Sequence, residues 1–177
     1  MRRAAYYANQ GGRVNHKEKG IYTLIISIQT PLRLRVGRLG LLSFPKGLYL
    51  YTGSALGPGG LDRRVDRHLY GSGHKFWHID HLLASKGVSV GTAIIAQTSR
   101  RMECRINRSL EMICNSQAKG FGSSDCIESC TSHLLKSEKH SMAPLRNTIF
   151  DVYRKSGLMP LFYSPRYDQS ATTCKPK

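Results

Sequence analysis

The chain has 177 residues, 40% of them hydrophobic, which is enough for one domain with a real core and modest extensions. No apolar run reaches the ~18 residues of a membrane span, and the basic start has no apolar segment behind it, which argues against a signal peptide. The formal charge is +16, from 27 Lys and Arg against 11 Asp and Glu, more than solubility requires.

Residues 1–19 are polar, basic and glycine-containing, and read as a flexible basic arm. Gly20 to Ile28 (GIYTLIISI) is apolar and β-branched, the pattern of a central strand. Leu32 to Val36 (LRLRV) alternates as a half-exposed strand does, and a glycine turn follows at Gly37-Arg38-Leu39-Gly40. Residues 33–46 read as a hairpin. Gly47 to Gly53 is a third strand, and Gly57-Pro58-Gly59-Gly60 breaks it and opens a helix over 61–70. A second helix is expected over 77–84 and a strand over 88–97. A longer helix is expected over 100–117, with Met102, Ile106, Leu110 and Ile113 on one stripe. Residues 119–132 form a glycine, serine and cysteine loop. Beyond Leu135 the signal weakens to a helix over 147–155, a short strand over 158–163 and a tail from Ser164. The boundaries expected are an arm to 19, a domain over 20–135 and a partly ordered extension over 136–177. The fold class is a small α/β (α+β) domain, with a mostly antiparallel central sheet flanked by helices.

So large a positive charge repels itself unless a polyanion is nearby. Nucleic acid is the commonest such partner, and an anionic membrane surface is the weaker rival. The five cysteines are odd in number and few for the length. They fit reduced thiols in a cytoplasmic protein better than a disulfide framework, with nucleoid association left open.

Two strands carry tyrosine–glycine motifs, Gly20-Ile21-Tyr22 and Tyr51-Thr52-Gly53, and a helix follows with Arg64, Arg67 and His68. This order and spacing resemble the GIY-YIG nuclease domain over about residues 20–117. Gly37-Arg38-Leu39-Gly40, Trp77-His78-Ile79-Asp80, Gly120-Phe121-Gly122-Ser123-Ser124-Asp125-Cys126 and Ser132-His133-Leu134 resemble a narrower GIY-YIG-like branch. That branch is common in archaea and some members are fused to a DNA-repair endonuclease. As in that branch, the two tyrosines lie far apart; better-known nucleases of the superfamily have a much shorter gap.

The resemblance implies a metal-dependent endonuclease acting on DNA or RNA, with DNA ranked ahead of RNA and a DNA-repair protein as one partner it allows. Its rival is an inactive nucleic-acid-binding module. Phosphodiester hydrolysis needs an activated water, a cation for the charge that builds at phosphorus, and a stabilised leaving group. By resemblance, Tyr22 accepts the water proton, hydrogen-bonded to Tyr51, and Arg64 contacts the scissile phosphate through its planar fork. A Mg²⁺ or Mn²⁺ ion sits on a glutamate. The family's glutamate opens a helix after the third strand, which points to Glu103. Helical geometry agrees, because Glu103 lies roughly 60° from the centre of its apolar stripe while Glu111 falls nearly opposite and should face water. Arg64 and His68 form their own i, i+4 column beside the apolar face of Leu61, Val65 and Leu69. His68 and His78 complete the expected catalytic set. Arg38, Arg63, Arg67 and Lys75 are the expected nucleic-acid contacts.

Each residue also has a plainer reading. Tyr22 and Tyr51 could be core aromatics and His68 a structural histidine. Asp80 could pair with an arginine, and Glu103 with Arg100, Asn107 or a neighbouring arginine. His74, His78 and His81 crowd one stretch, where His78 either lines the cleft or packs under Trp77. Cys126-x3-Cys130-x2-His133 supplies three potential zinc ligands, with Cys104, Cys114 or Asp125 as a fourth. The spacing is not that of a usual finger, so it favours a cysteine-bearing loop capping the sheet over zinc. A zinc-stabilised interaction protein is therefore a third reading.

Overall fold

A computed structural model describes residues 18–71 and 75–163. The basic arm before Glu18, His74, and the tail from Ser164 with Cys174 lie outside the described residues. No helix among the described residues is long and apolar enough to cross a membrane.

The expected central strand is β1 (Gly20–Ile28). It is buried on both sides, which explains its nearly continuous apolar run. Tyr22, Leu24, Ile26 and Ile28 point into one core cluster, and Ile21 and Ile25 into another. The hairpin consists of β2 (Leu32–Arg35) and β3 (Leu41–Phe44), joined through a 3-10 turn over Gly37–Leu39. Leu32 and Leu34 pack against the first cluster while Arg33 and Arg35 face solvent, as strict alternation requires. β4 (Gly47–Ala55) runs antiparallel to β1, and β5 (Val88–Gln97) flanks β1 on its other edge.

Helices α1 (Gly60–Tyr70) and α2 (His78–Leu83) cover one face, through Leu61, Val65, Ile79 and Leu82. On the other face lie α3 (Glu103–Glu111) and α4 (Met142–Lys155), through Ile106, Leu110, Leu145, Ile149 and Tyr153. The Tyr153 phenol also hydrogen-bonds Thr23 Oγ1 at 2.9 Å, a buried polar link between α4 and β1. With β6 (Cys114–Ser116), β7 (Leu134–Ser137) and β8 (Leu161–Phe162), the main sheet has six strands in the order β6-β7-β4-β1-β5-β8. Every pairing in it is antiparallel.

Three expectations are corrected. The helix expected over 100–117 is α3, ending at Glu111. Met102, Ile106 and Leu110 are buried as the stripe requires, but Ile113 is 46% exposed. The chain leaves the helix because Cys114–Ser116 gains a ladder with β7, and backbone pairing at an open sheet edge outweighs one more helical turn. α4 begins at Met142, before Pro144. Proline is tolerated in the first turn, where its missing N–H has no intrahelical partner anyway. The boundary set at 135 falls inside β7, and the domain continues to Tyr163, whose phenol donates to Asp66 of α1 at 2.7 Å.

Candidate functional cleft

β1, β4, α1, α2 and the 120–125 loop surround a cleft of about 510 Å³. Its position depends on glycines. Gly53 of β4 stands opposite Tyr22 of β1 in the sheet register, and a Cβ there would lie 2.6 Å from Tyr22 Cζ and closer still to the hydroxyl. The missing side chain lets the phenol lie across β4. Gly122, at φ +70°, plays the same part for Tyr51, because a Cβ would meet its ring at 2.7 Å.

Tyr22, Tyr51, Arg64, His68, His78 and Glu103 all line this one cleft, and so do Arg38 and Lys75. The sequence spread them over several elements, with only Arg64 and His68 on one helix; the fold brings them together. Tyr22 Oη is 2.9 Å from His68 Nε2. That contact replaces the expected bond to Tyr51, whose ring instead stands edge-on to His68 with centroids 6.2 Å apart. Burial, then the neighbouring Tyr51, holds the Tyr22 phenol well above its ordinary pKa, so it carries its proton at neutral pH. Burial pulls His68 down to about 4, against the opposing pull of Asp80. His68 is therefore a neutral imidazole, able to accept from Tyr22. Its Nδ1 lies 3.8 Å from Asp80 Oδ1 and has no hydrogen-bond partner.

Arg64 stacks over Trp77, its Cζ 4.9 Å from the ring centroid. The two basic neighbours behave differently. Arg63 lines an adjoining hollow with Gly57 and Pro58. Arg67, expected among the nucleic-acid contacts, donates to Asp80 Oδ2 at 2.6 Å, so its charge is engaged inside the protein. The arginine partner expected for Asp80 is thus Arg67. The same carboxylate oxygen accepts from the backbone N–H groups of Phe76 and Trp77. Burial acts to raise the Asp80 pKa, but the Trp77 N–H, Arg67 and the Phe76 N–H outweigh it and hold it below its ordinary value.

His78 lines the cleft and packs against Phe121 with ring centroids 5.7 Å apart, rather than under Trp77. Its Nδ1 accepts the Gly122 N–H at 3.1 Å, and burial, then His81, lowers its pKa. Glu103 meets none of the partners expected for it. Its Oε1 lies 2.8 Å from Nδ1 of His133, which is 2% exposed. Glu111 is half-buried and accepts from the Ser116 hydroxyl instead of facing water. Trp77 and Asp125 also line the cleft; the sequence marked them as motif members, Trp77 also as a neighbour of His78 and Asp125 also as a zinc-ligand candidate, but not as cleft residues.

A second constellation lies behind Glu103. One donor atom each from Cys104, Cys126, Cys130 and His133 falls within 4.8 Å of the others, a Cys₃His set able to hold a metal ion. The fourth donor is Cys104, at the start of α3. Cys114 is buried elsewhere in β6, and Asp125 is not part of the set. The loop that spacing favoured as a plain cap thus carries converged ligand atoms. Histidines 78 and 81 belong to no such group among the described residues.

The fold and cleft define a mixed α+β domain with a polar, arginine-bearing cleft beside the sheet. The chain belongs to the family described as domain of unknown function DUF123, which it matches over residues 21–155, from β1 through α4. No curated protein and no solved structure matches it.

Proposed function

We propose that the cleft hydrolyses phosphodiester bonds of nucleic acid, DNA in preference to RNA. The observation that carries this reading is the Tyr22–His68 hydrogen bond inside a cleft that also holds Arg64 and Glu103. A phenol this reluctant to ionise is a poor base alone. Hydrogen-bonded to a neutral imidazole, it becomes a relay: as Tyr22 takes a proton from the attacking water, it passes its own to His68 Nε2. The oxygen–phosphorus bond to water forms while the bond to the leaving oxygen breaks. Arg64, braced on Trp77, supplies two N–H donors to the non-bridging oxygens. Arg38 and Lys75 supply positive charge at the same cleft for the flanking phosphates.

A hard cation, Mg²⁺ or Mn²⁺, fits a site with one or two carboxylates, water and substrate oxygens. Glu103 and Asp125 line the same cleft, and Glu103 is partly exposed there, its side chain 25% accessible. When bound, the ion supplies charge stabilisation at the phosphate and leaving oxygen. A role in DNA repair beside a partner enzyme rests on resemblance alone.

The contact between Glu103 and His133 favours a second reading, because a glutamate held by histidine is less available to a cation. On that reading the domain binds nucleic acid without cutting it. Labelled branched, single-stranded and duplex DNA, incubated with Mg²⁺ or Mn²⁺ and with EDTA, separates the two. Metal-dependent cleavage supports hydrolysis. Salt-sensitive binding without cleavage of any substrate supports the binding module.

A further inference from the structure

We propose that Cys104, Cys126, Cys130 and His133 Nε2 form a tetrahedral structural zinc site, with Glu103 as the carboxylate that orients His133. The proposal does not rest on the nuclease reading.

The donors come from two parts of the chain that only the fold brings together. Cys104 is in the first turn of α3, and the other three span the loop leading into β7. In a tetrahedral zinc site, bonds of ~2.3 Å to sulfur set the sulfurs roughly 3.8 Å apart. Cys104 Sγ and Cys126 Sγ are 3.3 Å apart, and all four donors lie within 4.8 Å, so small side-chain rotations close the shell. Three thiolates and an imidazole are soft and borderline ligands, the set that selects zinc over magnesium or calcium.

His133 supplies the independent observation. It is almost fully buried, and its Nε2 has no hydrogen-bond partner. A buried ring nitrogen left unpaired is costly. Its Nδ1 faces Glu103 Oε1 at 2.8 Å, close in distance though imperfectly aligned. A carboxylate on one ring nitrogen fixes the tautomer that leaves the other as a metal ligand. Zinc on Nε2 accounts for both atoms together.

The loop is held by hydrogen bonds such as Gly120 N–H to Thr131 O and His133 N–H to Phe121 O, without a strand or helix of its own. It has no regular secondary structure between β6 and β7, and long loops of that kind are usually functional or disordered. Ser129, between the two loop cysteines, has φ +56°, a left-handed conformation that a residue with a Cβ adopts at a cost. Asn107 Nδ2 of α3 donates to Ser132 O at 2.8 Å, and Arg108 pairs with Glu128 at 3.0 Å, so the helix and loop are already pinned on both sides of the ligand set. Arg101 lines the hollow beside the cysteines and offsets the net negative charge of three thiolates on one Zn²⁺.

The site has a consequence for the cleft. Glu103 lines both the cleft and the hollow beside the cysteines. Zinc would therefore fix the rotamer of the one glutamate shared by the two sites.

The test uses the full chain, purified under reducing conditions without chelator. Elemental analysis should find about one zinc per chain. Co²⁺ exchanged into the wild-type protein should give a thiolate-to-cobalt charge-transfer band with tetrahedral d–d bands. Cys104→Ser and Cys126→Ser should lose the metal, and Cys114→Ala should retain it. Glu103→Gln should keep the stoichiometry and bind zinc ~10–100-fold more weakly, as loss of an orienting partner does. The wild-type cobalt spectrum keeps the proposal testable even if the cysteine variants fail to fold. A folded, reduced wild-type chain that takes up no zinc from excess, or cobalt bound without a thiolate band, would overturn it. So would a Cys104–Cys126 disulfide in the protein as isolated. Zinc affinity unchanged in Glu103→Gln would overturn the role given to Glu103. DNA cleavage enters none of these readouts, so failure here leaves the hydrolysis reading standing, and the converse holds.

Discussion

The phenol of Tyr22 meets the imidazole of His68 at 2.9 Å, across 46 residues of chain and inside a cleft wall. On the proposed reading this bond is the proton path, between a phenol and an imidazole that burial keeps neutral at pH 7. Tyr22→Phe removes one hydroxyl and keeps the ring. Single-turnover cleavage should slow by ~10²–10⁴-fold. The variant should also lose ~1–3 kcal/mol of stability, because His68 Nε2 is left buried and unpaired. Cleavage by Tyr22→Phe at the wild-type rate would rule out Tyr22 as the proton carrier.

Stability should depend on pH through His68. Burial lowers its folded-state pKa to about 4, below the ordinary histidine value, with Asp80, Arg64 and Arg67 as the charged groups facing it. Between ~6.5 and 4 the unfolded chain binds the proton more readily than the folded one. The stabilisation is therefore complete above the unfolded value and is lost as pH falls through that window, by as much as about 3 kcal/mol. His78, also lowered, acts in the same direction. Denaturant melts at intervals from pH 4 to 8 should show the acid slope, and His68→Gln should flatten it. An unchanged slope in that variant would show that the acid sensitivity arises elsewhere.

Gly53→Ala should act on Tyr22 without touching it in sequence. The new methyl would stand 2.6 Å from Tyr22 Cζ, and the clash can be relieved only by swinging the phenol away from His68 or by parting β1 from β4. Cleavage should fall about as far as in Tyr22→Phe, with stability lower by ~1–3 kcal/mol. Binding to DNA should persist, since Arg38, Arg64 and Lys75 are not moved. Wild-type cleavage by Gly53→Ala would mean that the register around Tyr22 is looser than the structure gives it.

The strands and helices were legible because their periods are strong. β1 is a long apolar run, β5 alternates before its buried Ala93–Ala96 run, and the Leu-Arg alternation of β2 leaves one face for the core. Converging side chains were harder to read, since they depend on tertiary approach. Arg64 and His68 share a helix column, so their pairing followed from spacing, but the partner of Tyr22 did not. Helical angle set Glu103 at the edge of the apolar stripe, yet nothing local could indicate that His133 comes to it across the α3–loop contact. Cys104 lies far in sequence from the cysteines it meets and could only be one candidate among three. The end of α3 was overrun because Ile113 continues the apolar stripe, while the pull of β7 on Cys114 is invisible locally.

The basic residues around the cleft should divide into two groups by their effect on nucleic-acid binding. Arg64, Lys75 and Arg38 line the cleft, and each phosphate they neutralise releases counterions. Arg64→Ala and Lys75→Ala should each weaken duplex binding at low salt and reduce the slope of log affinity against log salt by about one. Arg64→Ala should also abolish cleavage, whereas Lys75→Ala should change it chiefly through affinity. Arg67 belongs to the other group. Its guanidinium is on Asp80, and that carboxylate also holds the backbone N–H groups opening α2. Arg67→Ala should therefore leave the salt slope near that of the wild type. It should lower the melting temperature instead, because Asp80 loses its partner while only 9% exposed. Fluorescence anisotropy across a salt series, run beside thermal melts, measures both quantities on the same preparations. A drop in salt slope for Arg67→Ala without loss of stability would return Arg67 to the nucleic-acid contacts expected from the sequence.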